Sequence, residues 1–131
     1  MKTLYIVRGI PGSGKSTFAK SLGGTHFEAD MFFMKDGEYK YDMFKIKEAH
    51  KWCQEQTDRV LAEGEMVVVS NTFTTKKELK PYFELAKKYN IIPTVILCQN
   101  NFGSIHNVPE ETIEKMKQRF QYDISELFEV L

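Results

Sequence analysis

The chain has 131 residues, enough for one domain with a substantial core and short for two. With 42% hydrophobic and 27% charged residues, its composition is that of an ordinary globular protein and excludes a disordered one. Eighteen basic residues balance eighteen acidic ones, so there is no global positive field for nucleic acid, although a local patch is not excluded.

In chain order, Leu4-Tyr5-Ile6-Val7 is a short apolar run that predicts a buried strand over about residues 3–8. The sequence enters this strand directly, so no signal peptide is expected. No apolar run approaches ~18 residues, so no membrane span is expected either. Gly9-Ile10-Pro11-Gly12-Ser13-Gly14-Lys15-Ser16 follows the strand, and Ser16 to Leu22 is free of Gly and Pro up to a helix stop at Gly23-Gly24. His26-Phe27-Glu28-Ala29-Asp30 then reads as a short second strand that ends in carboxylates. Met31-Phe32-Phe33-Met34 stays apolar, and Asp36-Gly37 marks a turn.

Asp42 is the expected N-cap of a long helix ending at Gly64, with Ile46, Ala49, His50, Cys53, Thr57, Val60 and Leu61 as its buried stripe. Met66-Val67-Val68-Val69 has the continuous β-branched character of a central strand buried on both faces, and it ends in Ser70-Asn71-Thr72. Thr75 with Glu78 forms a capping box for a third helix, which Pro81 is expected to kink or restart. Asn90 ends that helix, and Thr94 to Cys98 makes a fourth strand. Gln99 to Val108 reads as a polar loop. Pro109-Glu110-Glu111 opens a last helix, lined inside by Ile113, Met116, Phe120, Ile124 and Leu127. Strand and helix alternate throughout, which predicts a single α/β domain over residues 1–131. Its architecture is a three-layer sandwich around a mostly parallel sheet of about four strands.

The segment Gly9 to Ser16 fits the phosphate-loop pattern G-x-x-x-x-G-K-[ST] at every fixed position and lies between a strand and a helix, as that motif requires. Glycines at 9, 12 and 14 allow a tight turn close to a polyphosphate, whose charge the loop amides and the helix start can receive. Lys15 can reach the β- and γ-phosphates, and the Ser16 hydroxyl can ligate Mg²⁺. The bland alternative is a glycine-rich strand–helix turn with a solvated lysine. The reading adopted is an ATP-type site with Mg²⁺, formed by Gly9, Ile10, Pro11, Gly12, Ser13, Gly14, Lys15, Ser16 and Thr17.

A phosphate loop alone does not separate a kinase from a nucleoside-triphosphatase switch. Glu28 and Asp30 are expected at the carboxyl edge of the sheet, on one face of a strand, where either could aim at the γ-phosphate. Asp30 is the favoured general base and Glu28 the lesser candidate. Either could instead hold a metal-bound water, or simply cap a turn. The aromatic cluster of Phe32, Phe33, Tyr39, Tyr41 and Phe44 could stack a nucleobase, but covering the sheet edge is the preferred reading. His50 and Cys53 lie one helical turn apart, too few for a metal site, and are read as core-facing. Phe102-Gly103 could lie on an adenine or close a hydrophobic edge. Lys76-Lys77 reads as a solvated first turn that could also meet an acidic substrate. Cys53 and Cys98 do not suggest a disulfide framework, which points to a reducing, cytoplasmic compartment.

Gly9 to Thr17, Glu28-Ala29-Asp30, Val67 to Thr72 and Asn107-Val108-Pro109-Glu110 together resemble the polynucleotide-kinase-like branch of P-loop kinases, in order and spacing over nearly the whole chain. The resemblance implies the P-loop kinase core, with Asp30 deprotonating an acceptor hydroxyl on a nucleic-acid end, a nucleotide or a small molecule. It further implies that Asn71-Thr72 face the acceptor and that residues 99–108 form a lid. The chain departs from proven members in three ways. Phe33 stands where they carry an arginine, no arginine lies between Arg59 and Arg119, and the stretch from Cys98 to Pro109 is too short for their extra helix. His106 could replace a missing lid cation, or merely hydrogen-bond the loop. An ATP-binding switch or partner-binding module without efficient transfer is the competing reading, and the oligomeric state is not legible.

Overall fold

The computed structural model describes residues 1–103 and 108–131. Strand β1 (Thr3–Arg8) leads through the phosphate loop into helix α1 (Lys15–Ser21), followed by β2 (Thr25–Phe27) and a 3₁₀ turn at Ala29–Phe33. A two-stranded hairpin, β3 (Met34–Lys35) and β4 (Glu38–Tyr39), and a second 3₁₀ turn at Met43–Lys45 precede helix α2 (Ile46–Ala62). Then come β5 (Met66–Asn71), α3 (Lys76–Lys88), β6 (Thr94–Leu97), α4 (Glu110–Arg119) and a 3₁₀ turn at Ser125–Val130.

Four strands form one sheet in the order β2-β5-β1-β6, and every pairing within it is parallel. The register puts Ile6 beside Val69 and Val95, and Phe27 beside Val69. Parallel strands covered on both faces read as unbroken apolar runs, and Val67, Val68 and Val69 are all fully buried. Side chains alternate across the sheet. Leu4, Ile6, Val67 and Val69 face the main core with Cys53, Val60 and Leu61 of α2 and Leu79, Phe83 and Ala86 of α3. Val7 and Val68 face the opposite side with Ala19 of α1. The sheet is thus the middle layer of three, as the strand–helix alternation predicts.

Local departures from expectation have physical causes. The second strand stops at Phe27, so Glu28 and Asp30 are not alternating strand residues. Glu28 is extended, and Asp30 lies in the first turn of the 3₁₀ segment, whose start is pinned because the Ala29 amide donates to Asn71 Oδ1 at 2.8 Å. Asp42 caps the 3₁₀ turn at Met43–Lys45 rather than a long α-helix, and Ile46 is exposed at the true start of α2. Pro81 leaves α3 as one helix. It removes a single intrahelical bond, to the carbonyl of exposed Lys77, and the Thr75–Glu78 capping box secures the turn before it. Asn90 stands just past the helix with φ 58°, the left-handed conformation of a helix end. Helix α4 ends at Arg119 because the Gln121 amide turns away to donate to the Thr74 carbonyl at 2.7 Å. Phe120 is buried there, whereas Ile124 and Leu127 reach the core from a separate 3₁₀ segment.

Candidate nucleotide site

The loop from Gly9 to Ser16 sits at the carboxyl edge of the sheet, between a central strand and α1. Gly12 and Gly14 have φ of 84° and 87°, which only glycine adopts at little cost. Gly14 is the N-cap of α1 and offers the helix no side-chain acceptor. The Ser13 amide donates to the Ile10 carbonyl at 3.1 Å, closing the turn around Pro11, and the Gly9 amide donates to the Thr72 carbonyl at 3.3 Å. A Cβ at Gly9 would lie 2.4 Å from Ser13 Oγ, so glycine is required there by packing. Ser13 Oγ is itself buried without a hydrogen-bond partner, which leaves an orphaned polar atom inside the loop. Thr17 lies exposed on α1.

Lys15 is half-buried, and burial pulls its pKa below the ordinary lysine value, with Glu28, Asp30 and Cys98 pulling it back up. Both candidate carboxylates therefore lie within the field of the loop lysine. They are held differently. Ser16 Oγ donates to Glu28 Oε2 at 2.7 Å, and Ser70 Oγ donates to the same oxygen at 3.1 Å. His26 Nε2 lies 2.6 Å from Ser70 Oγ. The single Ser70 proton is committed to Glu28, so His26 is the donor and its buried Nδ1 carries the lone pair without a partner. Burial lowers the His26 pKa and Lys20 adds to this, against the pull of Glu28. A continuous chain therefore runs from His26 through Ser70 and Glu28 to Ser16.

Asp30 is held from the hairpin side, where Tyr39 donates its hydroxyl to Asp30 Oδ1 at 3.1 Å. Burial and Asp30 together push the Tyr39 pKa up to about 12.

Asn71 is brought to the site edge but does not face outward. Its Oδ1 receives the Ala29 amide, and its Nδ2 donates to Cys53 Sγ at 3.8 Å. Thr72 contributes its backbone carbonyl to Gly9. His106 lies outside the described residues, as does most of the carboxyl-terminal half of the expected lid. The start of that segment is described and lies on the phosphate loop. The Phe102 amide donates to the Gly12 carbonyl at 2.7 Å, and a Cβ at Gly14 would meet the Phe102 ring at 2.9 Å.

None of the three arginines points its charge into the loop's phosphate face. Arg8, the residue before the loop, is buried. Its Nε and Nη2 donate to the Phe73 carbonyl at 3.0 and 2.6 Å, and its guanidinium lies over Phe120 at 4.3 Å. Arg119 Nε donates to Thr74 Oγ1 at 3.1 Å, and Arg59 pairs with Glu63 on the surface of α2. Lys76 is paired as well, with Glu126 at 2.8 Å. Among the described residues no group of three or more His, Cys, Asp or Glu could hold a metal. Cys53 is buried in the main core, whereas His50 is half-buried and outside it.

A family model described as an AAA domain (AAA_33) matches residues 4–122. The chain belongs to this family. Human NEDD4-binding protein 2 is 29% identical to it over 141 residues, covering 93% of this chain but 8% of that protein. An uncharacterized protein of Pasteurella multocida (strain Pm70) is 29% identical over 134 residues, covering 88% of this chain and 75% of that one. Among solved structures, a chain of the Pnkp1/Rnl/Hen1 complex matches with a TM-score of 0.62 at 22% identity, covering 93% of this chain and 42% of that one. A candidate kinase from Chloroflexus aurantiacus matches with a TM-score of 0.59 at 23% identity, over 73% of this chain and 58% of that one. The fold is that of the P-loop kinases, with a parallel four-stranded sheet. No helix among the described residues is long and apolar enough to cross a membrane.

Sequence reasoning missed three of these groups. His26 and Ser70 are ordinary strand residues until the β2–β5 pairing sets their strands side by side. Arg8 carries no signal beyond its place at a strand end.

Proposed function

We propose that the chain is an ATP-dependent phosphotransferase that moves the γ-phosphate to a hydroxyl acceptor. The observation that carries this reading is the convergence of Lys15, Glu28 and Asp30 at the mouth of a glycine loop that holds an unpartnered buried hydroxyl. Lys15 and the loop amides hold the polyphosphate. Ser16 Oγ and the Glu28 carboxylate are hard oxygen donors already in contact, a set that fits Mg²⁺ and would hold it. Bound there, Mg²⁺ supplies charge neutralisation on the phosphate oxygens. The usual strand-end aspartate for this ion is missing from β5, which ends in Ser70-Asn71, and Glu28 from the neighbouring strand end takes its place.

Asp30, which receives the Tyr39 hydroxyl, takes the proton of the acceptor hydroxyl as that oxygen bonds to the γ-phosphorus. The bond from phosphorus to the β–γ bridging oxygen breaks, and ADP leaves with Lys15 still on its phosphates. The fold also occurs in a chain of an RNA repair complex, so nucleic-acid ends belong in the acceptor panel beside nucleotides and small alcohols.

The second reading, an ATP-binding switch or partner module, is favoured by the employment of Arg8, Arg59 and Arg119 elsewhere. Losing an arginine on the transferred group costs on the order of 10³–10⁵ in rate. Transfer of labelled γ-phosphate to DNA, RNA, nucleoside and sugar acceptors, with bare hydrolysis measured alongside, separates the two. Transfer that is lost in Lys15→Ala and in Asp30→Asn is the expected result. Binding of Mg-ATP with no transfer to any acceptor would leave only the second reading.

A further inference from the structure

His26 on the edge strand β2 and Ser70 on its neighbour β5 take no part in the transfer of phosphate, yet both are polar and enclosed. The His26 side chain is 8% exposed, and Ser70 is fully buried. In the parallel register His26 lies beside Val68, and alternation puts Ser70 on the same face of β5, the face covered by Ala19 of α1. The first turn of α1 carries Ser16, and Glu28 stands one residue past the end of β2. Four polar side chains, His26, Ser70, Glu28 and Ser16, are thereby gathered at the carboxyl edge of the sheet.

Their hydrogen bonds run one way. His26 Nε2 donates to Ser70 Oγ at 2.6 Å, and Ser70 Oγ donates to Glu28 Oε2 at 3.1 Å. His26 Nε2 itself lies 3.9 Å from that carboxylate oxygen, too far for a hydrogen bond, so the histidine reaches Glu28 through the serine. A serine hydroxyl has one proton and rotates to suit its neighbours. The His26 donor occupies a lone pair of Ser70 and leaves the proton aimed at Glu28. The other ring nitrogen bears the consequence, since Nδ1 is buried without a partner, which is destabilising. An apolar ring would fill the same space without that penalty, so packing alone does not account for a histidine here. Ser16 Oγ meets the same Glu28 oxygen at 2.7 Å from the loop side. Hydrogen bonds to a metal-binding carboxylate fix its direction, and losing one weakens metal binding by about 10- to 100-fold.

Resting on the phosphotransfer reading and its assignment of Glu28 to Mg²⁺, we infer that His26 and Ser70 are positioning residues for the cation site. The His26 Nε2–H fixes the Ser70 hydroxyl, and that hydroxyl holds the Glu28 carboxylate beside Ser16 before nucleotide arrives. Ser70 is the penultimate residue of β5, whose end offers no carboxylate, and it serves the carboxylate that the neighbouring strand end supplies.

ATP is titrated calorimetrically into the full chain at a series of Mg²⁺ concentrations, at about pH 8 where an ordinary histidine is neutral. His26→Phe keeps a ring and drops the donor, and Ser70→Ala drops the hydroxyl. Each should raise the Mg²⁺ midpoint about tenfold, while ATP binding without Mg²⁺ stays at the wild-type value. The double variant should match Ser70→Ala alone, because His26 acts through Ser70. His26→Gln, whose amide N–H can stand at the Nε2 position, should restore the midpoint. In ¹⁵N-labelled wild type the His26 ring should carry its proton on Nε2, and His26→Gln identifies its signals among the three histidines. That measurement needs no folded His26→Phe.

A midpoint that Glu28→Gln shifts but His26→Phe and Ser70→Ala do not would overturn the inference and leave the cation site standing. Effects that add in the double variant, equal losses with and without Mg²⁺, or a ring proton on Nδ1 would also overturn it. Failure of the phosphotransfer reading looks different: the midpoint shifts would stand while no labelled phosphate reached any acceptor.

Discussion

Ser16 donates its hydroxyl to Glu28 at 2.7 Å, and that contact joins the phosphate loop to the neighbouring strand end. The same oxygen of Glu28 receives Ser70, which His26 holds in turn. Glu28 is therefore held from helix α1 and strand β5 before any ligand arrives, whereas Asp30 receives Tyr39 from the hairpin. Two carboxylates two residues apart in sequence thus receive different hydroxyls, Glu28 those of Ser16 and Ser70 and Asp30 that of Tyr39.

If Glu28 serves the cation, Glu28→Gln should weaken the Mg²⁺ dependence of ATP binding by about 10- to 100-fold, the usual worth of a charged contact. ATP binding without Mg²⁺ should be retained, because a negative charge has been removed from beside the phosphates. Asp30→Asn should leave the Mg²⁺ midpoint near wild type. Calorimetric titration with ATP at a series of Mg²⁺ concentrations measures both, and an unchanged midpoint in Glu28→Gln would reverse the assignment.

Gly9→Ala should damage the loop by overpacking. The new methyl would lie 2.4 Å from Ser13 Oγ and 2.7 Å from the Cys98 carbonyl. Such overpacking costs about 1–3 kcal/mol. Adding Ser13→Ala should recover only part of this, since the Cys98 carbonyl is backbone and cannot turn away. Urea unfolding of the single and double variants provides the numbers. Full recovery in the double variant would mean that the backbone at Cys98, just past β6, yields at this point.

Arg8 acts as a staple. Phe73 has φ 46°, an unfavourable conformation for a non-glycine residue, and its carbonyl is turned to receive the Arg8 guanidinium. Burial draws the Arg8 pKa below the usual arginine value, with Glu78 and Tyr122 opposing. Arg8→Met keeps the stem but strands a buried carbonyl and loses the stacking on Phe120, for a cost of about 2–4 kcal/mol. Equilibrium denaturation should show it, and a variant as stable as wild type would show that the guanidinium is dispensable.

The parts legible in the sequence are those that local chemistry determines. The glycine spacing of residues 9–16, the apolar run of Val67 to Val69 and the reciprocal cap of Thr75 with Glu78 each specify their own conformation, and all three take it. The misread parts depend on distant partners. Ala29 leaves the strand because Asn71 captures its amide from 42 positions away. Helix α4 stops where Gln121 finds Thr74, and Arg8 is spent on carbonyls that follow β5. Each of these follows from strand order and register, which no local pattern carries. Within the aromatic cluster, sheet-edge cover fits Phe33, which is buried, but not Phe44.

The Tyr39–Asp30 contact gives a pH signature. The Tyr39 phenol is pushed up to about 12 from its ordinary 10.0, by burial first and by the Asp30 charge and hydrogen bond next. A group whose pKa is raised on folding stabilises the fold through its protonated form. That contribution is fully present below about pH 10 and is lost as pH rises through about 12. In protein labelled with ¹³C at the tyrosine ring carbon that bears the hydroxyl, Tyr39 should titrate late, and Tyr39→Phe identifies its signal. Asp30→Asn should bring the midpoint back part of the way toward 10.0, because the charge disappears and the burial remains. A Tyr39 midpoint that is the same in wild type and Asp30→Asn would mean that the hydroxyl does not rest on Asp30.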